Sequence, residues 1–212
     1  MAIKVLISAG PTCVPIDKVR VISNLATGET GIRLAERFSS YGAQVTLLLG
    51  GPAAAEACSI DKRIRLIRFK YSSELENLIK KELKRRRYDI MIHSAAVSDY
   101  KPSRIYKAKI KSGMSHWKIN LVPTEKIIDL IKRIDKNILL VGFKFEPGAA
   151  KNTLLKHARM LLLRAKADLV VANTSDKNKY RAFIMDRIKE SSPLNSKEAL
   201  TKELFKLLVS KI

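Results

Sequence analysis

"IKVLISAGPTCVPIDKVRVISNLATGETGIRLAERF", residues 3 to 38, reads as a buried strand, a long loop and an amphipathic helix in succession. The run from Ile3 to Ser8 is apolar apart from Lys4 and the closing Ser8, the pattern of a strand covered on both faces. Gly28 and Gly31 open the helix that follows. Comparable runs recur at Val45 to Leu49, Ile90 to Ser94, Leu139 to Phe143 and Leu169 to Asn173, with a weaker one at Ile64 to Phe69. Helical patterns separate them. Leu75, Leu78, Ile79 and Leu83 share one face, with Ser73 and Glu76 spaced as a capping box. Ile127, Ile128, Ile131 and Ile134 mark a helix after Pro123, and Leu154, Leu155, Leu161 and Leu162 another. A last helix carries Leu200, Leu204, Leu207 and Leu208, opened by Asn195 with Glu198 three residues on. Strands alternating with helices predict a three-layer, Rossmann-like α/β fold: an open, mostly parallel sheet with helices on both faces and the ligand at the carboxyl ends of the strands. "RAFIM", residues 181 to 185, predicts one further, antiparallel edge strand. Residues 100 to 122 fit neither a helix nor a simple turn and are expected to form a flap or strand excursion. No repeat or linker divides the chain, so residues 1–212 are expected to form one domain.

Charge is the outlying property: 41 Lys plus Arg against 20 Asp plus Glu, a net +21. Such a balance attracts polyanions without choosing among nucleic acid, phosphorylated metabolites and anionic membrane. It is equally compatible with lysine-rich solvated faces, because cations occur in every segment. Cys13 and Cys58 are too few for a disulfide framework and read as free thiols, which with the absence of a signal peptide predicts a cytoplasmic protein. His93, His116 and His157 have no ligand spacing, so no protein-built metal site is expected.

The glycines of the first loop match neither G-x-G-x-x-G nor a Walker A pattern. A nicotinamide-dependent reductase is further disfavoured because the second strand, "AQVTLLLGG", ends without an acid to hold a ribose. The connection from Ala9 to Thr27 is long for a βα loop, and long loops are more often functional. Within it, Asp17 and Arg20 have the spacing of a local ion pair, and Asn24 that of a helix cap. The second informative stretch is "IHSAAVSDYKPSRIYKAKIKSG", residues 92 to 113, where small residues end a strand and are followed by Asp99 and five cations. Bare backbone, one carboxylate and concentrated positive charge suit an anionic ligand. "KKELKRRR", residues 80 to 87, raises nonspecific nucleic-acid binding, but it falls on the polar face of a helix and few aromatics are available for base stacking.

Taken in order, "AGPT", "PIDKVRVISN", "TGETG", "AAVSDYKP", "AKIKS", "NLVPTEKI", "VGFKFE" and "ADLVVAN" resemble phosphopantothenate–cysteine ligase, in its free-standing bacterial form without a preceding decarboxylase region. The resemblance implies activation of the 4′-phosphopantothenate carboxylate by a nucleoside triphosphate, CTP in preference to ATP, and then amide formation with cysteine. It implies Mg²⁺ entering with the nucleotide, and a homodimer. By resemblance, Lys109 contacts the triphosphate, with Lys111 in support. Gly10, His93, Ser94, Ala95, Asp99 and Phe143 match the nucleotide site, bordered by Glu125, Lys126, Ile127 and Ile128. Asn24 matches the residue acting on the acyl-nucleotide, and Arg20 a cation in the substrate pocket. Thr27, Gly28 and Gly31 would cradle the substrate phosphate, with Ala96 and Asn173 nearby. Two departures stand out. Glu29 replaces a lysine and is expected to turn outward, and two clamp lysines fall on Leu161 and Ala165, leaving Arg159, Arg164 or Lys166, Arg164 foremost, to supply the charge.

Overall fold

A computed structural model describes residues 2–51, 60–177 and 179–212. Cys58, read above as a free thiol, lies outside the described residues. Cys13 is a free thiol.

Seven strands form one sheet in the order β11-β10-β9-β6-β1-β4-β5. They are β1 (Lys4–Ala9), β4 (Gln44–Gly50), β5 (Arg65–Phe69), β6 (Ile90–His93), β9 (Leu139–Phe145), β10 (Leu169–Asp176) and β11 (Lys179–Met185). Every pairing is parallel except β10 with β11. The α/β architecture and the antiparallel edge strand thus follow the sequence reading. On one face lie α1 (Glu29–Ser40) and α5 (Lys197–Val209), where Leu34, Phe38, Leu200 and Leu204 meet Val5, Ile7 and Val171. On the other lie α2 (Ser72–Arg85), α3 (Ile128–Ile134) and α4 (Lys151–Arg164), where Leu75, Ile79, Ile131, Leu154 and Ala158 cover Leu6, Leu48 and Val170. Each buried Leu, Ile or Phe contributes about 1.5–3 kcal/mol. Both faces being covered is why these strands read as unbroken apolar runs.

Two helix starts differ from expectation. The Glu74 carboxylate, not Glu76, accepts the backbone N–H groups of Lys70 and Tyr71 at 2.8 and 3.1 Å, because α2 begins one residue before Ser73. Ser196, not Asn195, caps α5, its hydroxyl accepting the Ala199 N–H at 3.0 Å. Both differences are one- or two-residue shifts of the kind frayed termini allow.

The long first connection contains a small hairpin, β2 (Cys13–Pro15) with β3 (Val21–Ser23), which the sequence reading treated as loop. A second ribbon pairs β7 (Tyr100–Pro102) with β8 (Leu121–Pro123), bracketing residues 103–120. The chain starts in mid-sheet and builds β4 and β5 to one side, then β6, β9 and β10 to the other. The crevice between β1 and β6 is therefore the topological switch point where open α/β sheets place their ligands.

Candidate functional site

At that crevice the two strand ends are extended by loop hydrogen bonds. Ser94 donates both its N–H and its hydroxyl to the Ser8 carbonyl, at 3.0 and 2.8 Å. Ala96 N–H donates to the Gly10 carbonyl at 2.9 Å. The Ala96 carbonyl in turn accepts the Thr12 N–H at 3.1 Å and the Asn24 amide Nδ2 at 3.0 Å. Asn24, which directly follows β3, is thereby held against the segment that continues β6 through Ser94 and Ala95. His93 lies beneath, its Nδ1 2.7 Å from Ser8 Oγ, and burial pushes its pKa down to about 4, so the ring is neutral at pH 7.

A cleft of about 1050 Å³ opens above these residues, spanning the carboxyl ends of β1, β6, β9 and β10. On its α1 side are Thr27, Gly28 and Gly31. Gly28 is the N-cap of α1 with φ +76°, a left-handed conformation that suits glycine; it brings no side-chain cap of its own, and the neighbouring Thr27 Oγ1 accepts the Glu29 N–H at 3.4 Å. The remaining first-turn N–H groups and the positive helix end favour an anion. Glu29 does not turn outward as expected: it lines the cleft, accepting Arg33 Nε at 2.9 Å and the ammonium of Lys197. The Lys197 bond, together with that from Arg33, outweighs burial and holds its carboxyl below the ordinary value. Asn173, Ser175 and Tyr180 close this end, where Asn173 Oδ1 and the Tyr180 hydroxyl are buried without a hydrogen-bond partner.

On the α3 and α4 side, Lys126 pairs with Asp99 and Arg164 Nε donates to Asp129 Oδ1 at 3.2 Å. Lys144 Nζ and His157 Nδ1 both meet Glu146 Oε1, at 3.0 and 2.9 Å. The Lys144 bond, with that of His157, keeps Glu146 below the usual carboxylate range despite burial. The cations lining the cleft, Lys126, Lys144, Arg164 and Lys197, are thus each matched by a carboxylate. An entering polyphosphate would take over cations already ordered in place, at the cost of exchanging their partners. Leu161 faces the cleft at one of the two positions that the resemblance assigns to clamp lysines, and Ala165, the other, is buried. Phe143 lines the cleft while packing partly on the core.

Not every expected site residue is brought there. Lys109, Lys111, Arg20 and Glu125 are absent from the cleft lining. Arg20 is no free substrate clamp: its guanidinium meets Asp17 Oδ2 at 2.7 Å and the Ile110 carbonyl at 3.3 Å, and lies over the Trp117 ring at 5.1 Å. The local ion pair is the arrangement observed. Asp17 has a second task, accepting the Ile110 N–H at 3.1 Å together with those of Val19 and Arg20 at 2.9 and 2.8 Å. Burial pushes the Asp17 carboxyl up, but these backbone N–H groups and the Arg20 guanidinium outweigh it and hold the pKa at about 2. With Tyr106 N–H donating to Ile16 O at 2.9 Å, the segment carrying Lys109 and Lys111 is docked on the β2–β3 hairpin, both lysines exposed. Its ribbon base adjoins the cleft, since Thr124 N–H donates to Asp99 O at 2.9 Å.

Lys144, Glu146, His157, Ser175, Tyr180 and Lys197 were not foreseen. Lys144 and Glu146 had a signal: polar residues continue the "VGFKFE" strand past its last buried position. Tyr180 and Lys197 had none, because only the fold of β11 and α5 carries them to α1.

Comparison with known proteins places this geometry. Residues 1–211 match the family model described as DNA/pantothenate metabolism flavoprotein C-terminal domain. Two coenzyme A biosynthesis bifunctional proteins CoaBC are similar. The one from Thermococcus kodakarensis is 37% identical over 171 residues, covering 81% of this chain and 41% of that protein. The one from Borreliella burgdorferi is 33% identical over 213 residues, covering 97% of this chain and 52% of that protein. The chain therefore spans about half the length of these relatives. Among solved structures, the DNA/pantothenate metabolism flavoprotein from Streptococcus pneumoniae superposes with a TM-score of 0.85 at 26% identity, over 100% of both chains. A Cab2 mutant in complex with phosphopantothenate-cysteine shares the fold, with a TM-score of 0.74 at 20% identity over 99% of this chain and 88% of that one.

Proposed function

Because the chain belongs to the DNA/pantothenate metabolism flavoprotein C-terminal domain family, we propose that it is a ligase joining cysteine to 4′-phosphopantothenate in coenzyme A biosynthesis, with CTP as the activating nucleotide. A carboxylate is a poor electrophile. Its oxygen attacks the α-phosphorus, pyrophosphate leaves, and the mixed anhydride that forms gives the acyl carbon a good leaving group. The cysteine amine then attacks that carbon, loses a proton and expels the nucleoside monophosphate.

The observation that carries this reading is the Asn24 amide, held on Ala96 O at the strand switch, inside one cleft with Asp99 and the glycine-led start of α1. The cleft divides in a way that suits two anionic substrates meeting over the strand tips. Residues on the α3 and α4 side, Asp99, Lys126, Lys144 and Arg164, would hold the triphosphate. Those on the α1 side, Thr27, Gly28, Gly31 and Asn173, would hold phosphopantothenate. Asn24, between them, adds no charge and can donate to the acyl oxygen of the intermediate as the amine attacks. Mg²⁺ would neutralise the phosphates, and the donor set fits an ion that takes one protein carboxylate plus phosphate oxygens, Asp99 being that carboxylate once Lys126 turns to the nucleotide. Lys109 would join on closure of the flap, whose ribbon base already borders Asp99. A homodimer is part of the proposal, as is a preference for CTP over ATP.

The test is incubation with 4′-phosphopantothenate, cysteine, Mg²⁺ and each of the four triphosphates separately. Release of CMP with formation of 4′-phosphopantothenoylcysteine supports the reading. No monophosphate from any nucleotide removes it, and release of AMP alone corrects the nucleotide.

A further inference from the structure

The large positive charge of the chain is not spent on the cleft, whose cations are matched by carboxylates. One group of cations without lining acids lies at the opposite end of the sheet. A concavity of about 440 Å³ there is lined by Lys4, Arg63, Arg65, Arg85, Arg86 and Arg87, and by no acidic residue. These cations converge from separate elements. Lys4 starts β1, Arg63 and Arg65 lead into β5, Arg85 ends α2, and Arg86 and Arg87 follow it toward β6.

Part of this constellation is built rather than merely exposed. Glu82, 3% exposed, grips Arg65 through two bonds of 2.6 and 3.0 Å and accepts the Tyr88 hydroxyl at 2.6 Å. Tyr88 itself is 4% exposed, and its hydroxyl also lies 3.1 Å from Thr46 Oγ1. Burial pushes the Glu82 carboxyl up, but its bonds from Arg65 and Tyr88 outweigh that and keep it ionised. Asp61 likewise clamps Arg63 through contacts of 2.7 to 3.1 Å. Two guanidiniums are thus fixed from behind, while the side chains of Lys4, Arg85 and Arg87 have no carboxylate partner among the described residues; the Asp89 carboxylate is taken up by the Lys4 backbone N–H at 2.8 Å. Fixing a guanidinium beforehand removes the entropy cost of ordering it on a ligand.

We propose that this concavity is a second anion site, distinct from the cleft, that takes a compact di- or triphosphate group. Its volume lies within the range of small-molecule sites. Convergence on one point suits a short, densely charged ligand, whereas a nucleic-acid strand needs a track of cations and exposed rings for its bases. The one aromatic ring lining the concavity, Tyr88, is buried. The site stands whether or not the ligase reading does.

Inorganic diphosphate titrated into the full chain at physiological salt, followed by calorimetry and by amide chemical shifts, tests it. Saturable shifts at residues 64–66 and 85–88 are expected, and the Arg85→Gln/Arg87→Gln double variant should bind at this site about tenfold more weakly or worse. A parallel arm with a nucleoside triphosphate tells whether free diphosphate or a nucleotide is the better source of that group. Three results overturn the proposal: no shift at these residues, orthophosphate binding as tightly as diphosphate, or an unaffected double variant. A thymidine oligonucleotide that moves the same amides where diphosphate does not would replace it with nucleic-acid binding. Shifts at Gly28 and Gly31 report the cleft separately, so failure there counts against the ligase and not against this site.

Discussion

Gly31→Ala sets two magnitudes against each other. Inside a helix, alanine is favoured over glycine by up to about 1 kcal/mol, and by less in a first turn. A Cβ at position 31, however, would lie 2.4 Å from Ala9 Cβ and 2.9 Å from Ser94 Oγ. Carbon atoms rest at roughly 3.5–4.0 Å, so α1 must retreat from β1 by about 1 Å. Ala9 sits on a buried central strand and cannot yield. Overpacking of this kind costs about 1–3 kcal/mol, because the displaced helix also loosens Leu34 and Phe38 from the core. The clash wins, with a net loss of about 1–2 kcal/mol. At roughly 2–4 °C per kcal/mol for a chain of this size, Tm should fall by about 2–8 °C, measured by calorimetry or circular dichroism. The same retreat withdraws the helix start from the cleft and crowds the Ser94 hydroxyl off Ser8 O, so KM for the phosphorylated substrate should rise. An unchanged or higher Tm would show that α1 does not pack this closely, and the cleft geometry would go with it.

Asp17→Ala should undock the flap. Hydrogen exchange at the Ile110 amide should accelerate about tenfold or more, since its acceptor is gone, and unchanged protection would refute the anchor. The folded Asp17 pKa, about 2, lies below the reference value of 3.8, so its contribution is complete above 3.8 and is lost as pH falls through about 2. For His93 the folded value, about 4, also lies below its reference of 6.5, because burial disfavours the cation. The unfolded chain therefore binds the extra proton first, and stability should decline by about 3 kcal/mol between those two pH values and then level off. His93→Gln should flatten that slope in denaturant titrations, and an identical slope would mean another group causes it. In the proposed reaction, Asn24→Ala should leave pyrophosphate release intact and slow amide formation by about 10²-fold, whereas Lys109→Ala should slow pyrophosphate release itself. Rapid quench separates the two half-reactions, and full coupling by the Asn24 variant or normal activation by the Lys109 variant would strike that residue from the mechanism.

The main strands and helices were legible because burial on both faces of a parallel sheet writes continuous apolar runs, and amphipathic helices write their own period. The β2–β3 hairpin was not, since three-residue strands that bury only Val14 and include Pro15 leave no such pattern. It is held instead by distant partners, as when Cys13 N–H donates to Lys70 O at 2.8 Å. Within the site, glycines and small strand-end residues announced themselves, because backbone conformation and close approach restrict the residue type locally. Side-chain partners did not.

Chain order and hydrophobic period were sufficient for the sheet, its layers and the end of the strands where a ligand sits, because burial writes each element locally; the strand order, and with it the crevice between β1 and β6, came from the tertiary pairing. Apart from the local Asp17–Arg20 pair, which charges face one another was settled by folding. Glu29 meets Lys197 and Glu82 meets Arg65 across separate elements, and Asp17 reaches the Ile110 backbone N–H of the flap. Electrostatic pairing depends on distances of a few ångströms in three dimensions, and in a chain with cations in every segment composition cannot say which ones remain free to take a ligand.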